Sequence, residues 1–346
     1  MLQNELTERE RRVLEAVIQS YVATAEPAGS RALSRRFGLG VSPATIRNTM
    51  SDLEEKGFLF HPHTSAGRVP TDKAYRLYVD SIIRLDQIAG PEHQRLAEQI
   101  AAGGSTIETI VRRAAQSLGI LTQELGIALG PRFDQARLQR LELVRLASDR
   151  LLMVLSLDGG AMRTIFVEVP AEIADGAVSE VAYVLNERLG GLTLREIRST
   201  LPTRLRDANP SDAAGGLLNI FVEEGGTMFD LPAADRDDVV LGQPSLLADQ
   251  PEFASGERMR RLLELTETRE ELADLLRRRA SAPGLTITIG NEHADPRLEP
   301  FTVVTAEYRV GTLNGVIGVI GPTRMPYEKV ISLVRHTSRL VSELIE

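Results

Sequence analysis

The chain of 346 residues contains no cysteine and no tryptophan, and it has only five histidines. Without cysteine there is no disulfide framework and no thiolate chemistry, which fits a reducing cytoplasm. Long apolar runs are also missing. The most apolar uncharged stretch, Val310 to Thr323, has 14 residues and is interrupted by four glycines, too little to span a bilayer. The first residues, Met1 to Arg12, have no apolar signal core. Catalytic signatures are absent too: there is no GxxxxGK[ST] loop, no GxSxG elbow and no HExxH helix. Gly38-Leu-Gly-Val-Ser-Pro43 begins like a dinucleotide fingerprint, but it lacks the third glycine and follows a helix rather than a strand. Asp235, Asp237 and Asp238 lack the glycine and terminal glutamate of a calcium loop. His61 and His63 alternate, yet neither cysteine nor a carboxylate in the loop joins them, so a structural or phosphate-contacting role fits better than a metal. The expectation is a non-enzyme with no catalytic residue, cofactor or metal site.

A chain this long exceeds one ordinary core, so two or three domains are expected. Its 42% hydrophobic and 25% charged residues are a normal globular balance. The net charge of −8 is unevenly spread. Residues 1–86 carry 12 basic and 11 acidic side chains, whereas the remainder carries 28 basic and 37 acidic. Between residues 30 and 71 the six basic residues Arg31, Arg35, Arg36, Arg47, Lys56 and Arg68 face only Asp52, Glu54 and Glu55. A locally positive module on an acidic body suits a small DNA-binding head.

The stretch from Ser42 to Lys56 is central to that reading. Ser42 is a good N-cap, Pro43 suits the first turn, and Gly57 is placed to end the helix. Ile46, Met50 and Leu53 recur at i, i+4 and i+7, so one stripe faces a core. The opposite face carries Ala44, Asn48 and Ser51, flanked by Thr45 and Arg47. Such a face can read base edges: arginine forks onto guanine, asparagine pairs with adenine, and small residues allow close approach.

Two helices precede it. Thr7 and Glu10 form a capping box, followed by Val13, Leu14, Val17, Ile18, Tyr21 and Val22 on one face. Ser30 is placed to cap a short helix from Arg31 to Phe37, and Gly38-Leu-Gly40 turns into the third helix. The pattern is a helix-turn-helix. Phe58-Leu-Phe60 reads as a strand, residues 61–68 as a loop tipped by Gly67, and Val69-Pro70 as the return, which together form a wing. The candidate DNA contacts are Ser42, Ala44, Thr45, Arg47, Asn48 and Ser51 on the helix, Arg31 and Arg35 before it, and His63, Ser65, Gly67 and Arg68 in the loop. Arg68 is expected to enter the minor groove or pair with phosphate.

A boundary falls at Leu85 to Pro91. Helices are expected over 92–102 and 106–129, the second with an apolar stripe (Ile110, Val111, Ala114, Leu118, Leu121, Leu125) that serves either as a core face or as a dimer seam. Strands follow at 138–146, 151–157 and 162–169, with the Asp158-Gly159 turn between the last two, then helices over 175–189 and 193–201. Residues 203–286 change texture and end in charged helices, while strand patterns resume at 285–290, 301–310 and 314–320 before a final helix from 327 to 345. These features predict an α+β multidomain chain: a DNA-binding head (1–86), an α+β domain (87–202 and 287–346) and a smaller inserted domain (203–286). Leu272, Leu275 and Leu276 in its last helix are candidates for a subunit contact.

His63-Thr-Ser-Ala-Gly-Arg-Val-Pro-Thr-Asp-Lys-Ala-Tyr-Arg-Leu-Tyr-Val-Asp80, Ser42-Pro-Ala-Thr-Ile-Arg-Asn-Thr-Met-Ser-Asp-Leu-Glu54 and Gly315-Val-Ile-Gly-Val-Ile-Gly-Pro-Thr-Arg-Met-Pro-Tyr327 resemble the HrcA family of bacterial heat-inducible transcription repressors. The resemblance runs from about Leu6 to the last helix and is weakest over 203–286. It implies an N-terminal winged helix-turn-helix, a GAF-like α+β domain and an inserted smaller α/β dimerising domain. It also implies a homodimer that binds an inverted-repeat operator before chaperone operons of the groE and dnaK type. Heat would relieve repression, and the GroE chaperonin would help restore it. Two rival readings remain: a winged-helix regulator controlled by a small molecule in the GAF-like domain, and a protein-binding winged helix that never touches DNA.

Overall fold

The structure, a computed structural model, describes residues 5–63, 66–83, 91–101, 106–170, 173–208, 210–229, 239–254, 256–280 and 283–345. The expected linker from Leu85 to Gly90, the acidic group at Asp235–Asp238 and Ser65 lie outside the described residues. Helix α1 (Glu8–Thr24) opens on the expected capping box, with Thr7 Oγ1 accepting from the Glu10 amide at 3.3 Å and the Glu10 carboxylate accepting from the Thr7 amide at 2.7 Å. Helix α2 (Ser30–Phe37) is capped by Gly29; Ser30 is its first, buried residue and not its cap. Helix α3 (Pro43–Glu55) begins at Ser42 as expected. Strands β1 (Leu59–Phe60) and β2 (Val69–Pro70) pair antiparallel, and α4 (Asp72–Ile82) follows. Val13, Val17, Leu33, Ile46, Leu53, Phe58 and Val79 are buried in the core they share.

Helices α5 (Pro91–Ala101) and α6 (Ile107–Thr122) come next. The single helix expected over 106–129 stops at Thr122, where Gln123 turns left-handed (φ 61°) and Leu125–Leu129 becomes strand β3, buried along its whole length. The reason is steric. A side chain at Gly126 would lie 1.9 Å from the Ala115 carbonyl oxygen, so glycine lets the strand backbone rest on α6. The α6 stripe is therefore a core face: Ile110, Val111, Ala114 and Leu118 are buried and Leu121 packs against the same core.

Beyond β3 the chain forms β4 (Leu138–Ala147), β5 (Arg150–Leu157) and β6 (Met162–Glu168), then α7 (Asp175–Leu189), α8 (Leu194–Leu205) and α9 (Asp212–Met228). Strand β7 (Val239–Leu241), α10 (Ser245–Ala248), α11 (Gly256–Glu267), α12 (Arg269–Ala280), β8 (Leu285–Ile289), β9 (Phe301–Val310), β10 (Leu313–Pro322) and α13 (Tyr327–Ile345) complete it. One antiparallel sheet has the order β7-β3-β10-β9-β8, and α6 and α13 lie against it. The other larger sheet, β4-β5-β6, is separate, and its helices α7, α8 and α9 supply a core of their own around Leu155, Val181, Leu201 and Phe221.

This arrangement corrects the partition into an insertion at 203–286. Helix α9 belongs with α7 and α8, whereas residues 239–280 pack on the five-stranded sheet. Nothing in the helical period of a segment records which sheet its apolar stripe will cover. The same correction removes the expected subunit contact. Leu272 and Leu276 are fully buried with Ile127, Val303 and Val316 of the sheet, and Leu275 packs against that cluster.

Candidate nucleic-acid interface

Helix α3 is held on one side and open on the other. Ile46, Thr49, Met50 and Leu53 are buried, and Ala44, Arg47 and Asn48 are exposed. The Ser42 hydroxyl accepts from the Thr45 amide at 3.1 Å and lies 3.0 Å from the Thr45 hydroxyl, fixing the first turn. Ser51, half-buried, donates to the Arg47 carbonyl at 3.3 Å. Arg47 and Asn48 make no side-chain hydrogen bond or ion pair among the described residues, so both are free to meet a partner.

Helix α2, which packs on α3, carries further exposed cations. Gly38, in the left-handed region at φ 54°, ends α2 and redirects the chain. Arg31 and Arg35 are exposed on α2, and Arg36 lies over the Phe37 ring at 5.4 Å. Lys56 and Lys73, by contrast, are engaged within the head. Lys56 binds Glu10 at 2.7 Å and the Glu5 carbonyl at 3.2 Å, while Lys73 sits 4.2 Å from the centre of the Phe58 ring. Burial pushes the Glu10 carboxyl up, but its bonds to Lys56 and Thr7 outweigh that and hold it below the ordinary carboxylate value.

The loop between β1 and β2 departs from expectation at two positions. Gly67 is not an exposed tip: a side chain there would meet the Ala28 carbonyl oxygen at 2.4 Å, because the loop runs directly along the α1–α2 connection. Arg68 pairs with Ala28 through both backbone bonds, 2.8 and 3.0 Å. Its side chain is only 12% exposed and binds Glu54 at 2.8 Å, so it is not a free groove-entering arginine. His63 is exposed, and Ser65 lies outside the described residues. The residue missed by sequence reasoning is Glu54, which binds Arg68 with one oxygen and His61 Nδ1 with the other, at 2.6 Å. Its spacing of seven from Arg47 put it on the same stripe, a signal that was available.

The face therefore consists of an open helix carrying Arg47 and Asn48, flanked by Arg31 and Arg35 and bordered by a pinned hairpin. Comparison with known proteins follows the same line. Residues 108–331 match the family model described as the HrcA protein C-terminal domain. The chain is 39% identical over 345 residues to the heat-inducible transcription repressor HrcA of Chlorobium chlorochromatii (strain CaD3), across 99% of this chain and 98% of that one. It is 38% identical over 352 residues to the protein of the same name from Geobacter sulfurreducens, across 99% of each. A crystal structure described as that of a hypothetical protein shares the fold, with a TM-score of 0.70 at 21% identity over 99% of both chains. These relatives are transcription repressors, matched through head and body alike. The chain belongs to the HrcA family of heat-inducible transcription repressors.

Proposed function

We propose that the chain represses transcription in the cytoplasm as a homodimer on an inverted-repeat DNA operator of chaperone operons. The head is a winged helix-turn-helix, with α3 in the major groove and β1–β2 as the wing. The five-stranded sheet and its helices form the GAF-like domain, and residues 133–229 form the inserted dimerising unit. The observation that carries the reading is the exposed Arg47–Asn48 pair on a helix whose other face is buried. Those are the side-chain types that discriminate guanine and adenine in the major groove. Arg31, Arg35 and His63 are placed to meet phosphate.

The sheet β4-β5-β6 supports a homodimer. One face is covered by helices; the other carries Val144, Leu152 and Phe166 in one cross-strand row, with Met162 further along the same face of β6. Phe166 is 66% and Met162 65% exposed, unusual for such side chains unless something covers them. Two copies pairing there present two α3 helices at once, as an inverted repeat requires. Because folding is marginal, modest heating depopulates such a dimer and weakens its simultaneous grip. Recovery with the GroE chaperonin is the property the family resemblance implies.

The test is a footprint of the full chain on inverted-repeat DNA from its own upstream region, at two temperatures, with and without chaperonin. Symmetric protection at low temperature, lost on heating and restored faster with chaperonin, is expected. Absence of sequence-selective protection in every condition rejects the reading.

One observation favours a second reading. A cleft of about 230 Å³ lies where head meets body, lined by Ile18, Val22, Tyr78, Met325 and Tyr327 among others. A small molecule there would control the angle of the head. Consistent thermal stabilisation by one class of metabolite, with a matching change in operator affinity, would support it.

A further inference from the structure

Glu54 stands on the stripe of α3 that carries Arg47 and Ser51, at i, i+4 and i+7. A carboxylate on a surface turned toward phosphate is electrostatically unfavourable by itself. Here it is doubly engaged. Its two oxygens take His61 Nδ1 at 2.6 Å, just after β1, and Arg68 Nη2 at 2.8 Å, just before β2. One side chain thus closes both ends of the loop onto the last turn of α3. Arg68 is fixed on its other side by the backbone pair with Ala28, and Gly67 permits that close approach. The loop is thereby tied to α3 and to the α1–α2 connection together.

We infer that Glu54 is a positioning residue for operator recognition: it sets where the wing stands relative to α3, and acts through Arg68 and His61 rather than by touching DNA. The inference rests on the DNA-binding reading above. It also reassigns Arg68, whose guanidinium serves as the wing's anchor and not as its reading head. A contact of the wing with DNA then falls to His63, which is exposed.

Two effects of removing the carboxylate oppose each other, which makes the sign informative. If Glu54 were only a charge near phosphate, neutralising it would strengthen binding. If it positions the wing, neutralising it weakens binding, because the charge-assisted bonds to Arg68 and His61 are lost. Glu54→Gln keeps the side-chain shape and removes the charge.

The experiment is a hydroxyl-radical footprint and affinity titration of the full chain on the inverted repeat, for wild type, E54Q, E54R and E54R/R68E, with circular dichroism melts of each. Expected are a loss of about tenfold in affinity for E54Q and E54R and loss of protection at the outer flanks of each half-site. Central protection from α3 persists, and flank protection returns in the charge-swapped E54R/R68E. Should E54R not fold, the E54Q result decides alone. Wild-type or tighter binding by E54Q with intact flank protection overturns the inference while leaving DNA recognition standing. No protection by the wild type overturns the DNA-binding reading and the inference with it.

Discussion

The guanidinium of Arg324 donates from Nη1 to the carbonyl of Val22, at 2.8 Å, across the joint between the head and the body. Its remaining nitrogens fork onto the carboxylate of Glu252, and neither side chain of that pair is more than 14% exposed. The joint has further polar ties: Arg76 to Glu292 and to the Ile287 carbonyl, the Asn291 amide to Asp72 at 3.0 Å, and the Tyr78 hydroxyl to Glu328 at 2.9 Å. The Tyr75 and Tyr327 rings meet at 5.6 Å beneath them. These ties hold α1 and α4 of the head against the body.

Removing Arg324 leaves Glu252 buried without its cation. Arg324→Met is expected to destabilise the chain by about 3–5 kcal/mol and to raise amide exchange at the C-terminal end of α1. Hydrogen exchange read by mass spectrometry checks this. Protection at Val22–Ala25 equal to wild type would show that the joint is held elsewhere.

Arg47 is exposed and pairs with no side chain among the described residues, so its loss costs the free protein little. Arg47→Ala is expected to leave the melting temperature unchanged, to weaken operator binding by about 1–3 kcal/mol and to relax base preference at one position of each half-site. Titration against a set of single-base operator variants reads all of this. A uniform loss on every sequence would mark a phosphate contact instead.

Two apolar sets, one exposed and one buried, differ in what their loss does to assembly. Phe166→Asp, on the open face of β4-β5-β6, is expected to shift the protein toward monomer in sedimentation with its fold intact. Leu272→Ala, in the core under the five-stranded sheet, is expected to cost about 2–5 kcal/mol of stability and to leave the monomer–dimer balance of the folded protein unaltered. Sedimentation profiles with the opposite pattern would return the contact to α12.

The Glu10 carboxyl lies below its ordinary value of 4.5, because the bonds to Lys56 and Thr7 outweigh the upward push of burial. A carboxyl whose folded value is depressed contributes stability that is fully present above the unfolded value. That contribution is lost as the pH falls through the folded value. Melting of the head is therefore expected to fall below about pH 4.5, and Lys56→Met to flatten the fall. An unchanged acid profile in K56M would show that other carboxylates govern it.

Local chemistry determined much of this protein from its sequence. The capping box at Thr7 and Glu10, the Ser42 cap and the Ile46, Met50 and Leu53 stripe act over three to seven residues, so they are readable in order and place the exposed face that bears Arg47 and Asn48. The alternation in β4, β5 and β6 and the Asp158-Gly159 turn are equally local. Tertiary structure alone decided the rest. Leu125–Leu129 continues an apolar helical stripe and is a strand because β10, pairing Leu129 with Val316, and the glycine contact with α6 claim it. Helix α9 left the segment assigned to it because its stripe fits the smaller sheet. Arg68 looks free in sequence, and only the folded arrangement reveals that Glu54 and Ala28 already hold it. Periodicity reports which face of an element is apolar, and the identity of what covers that face is fixed by contacts between distant parts of the chain.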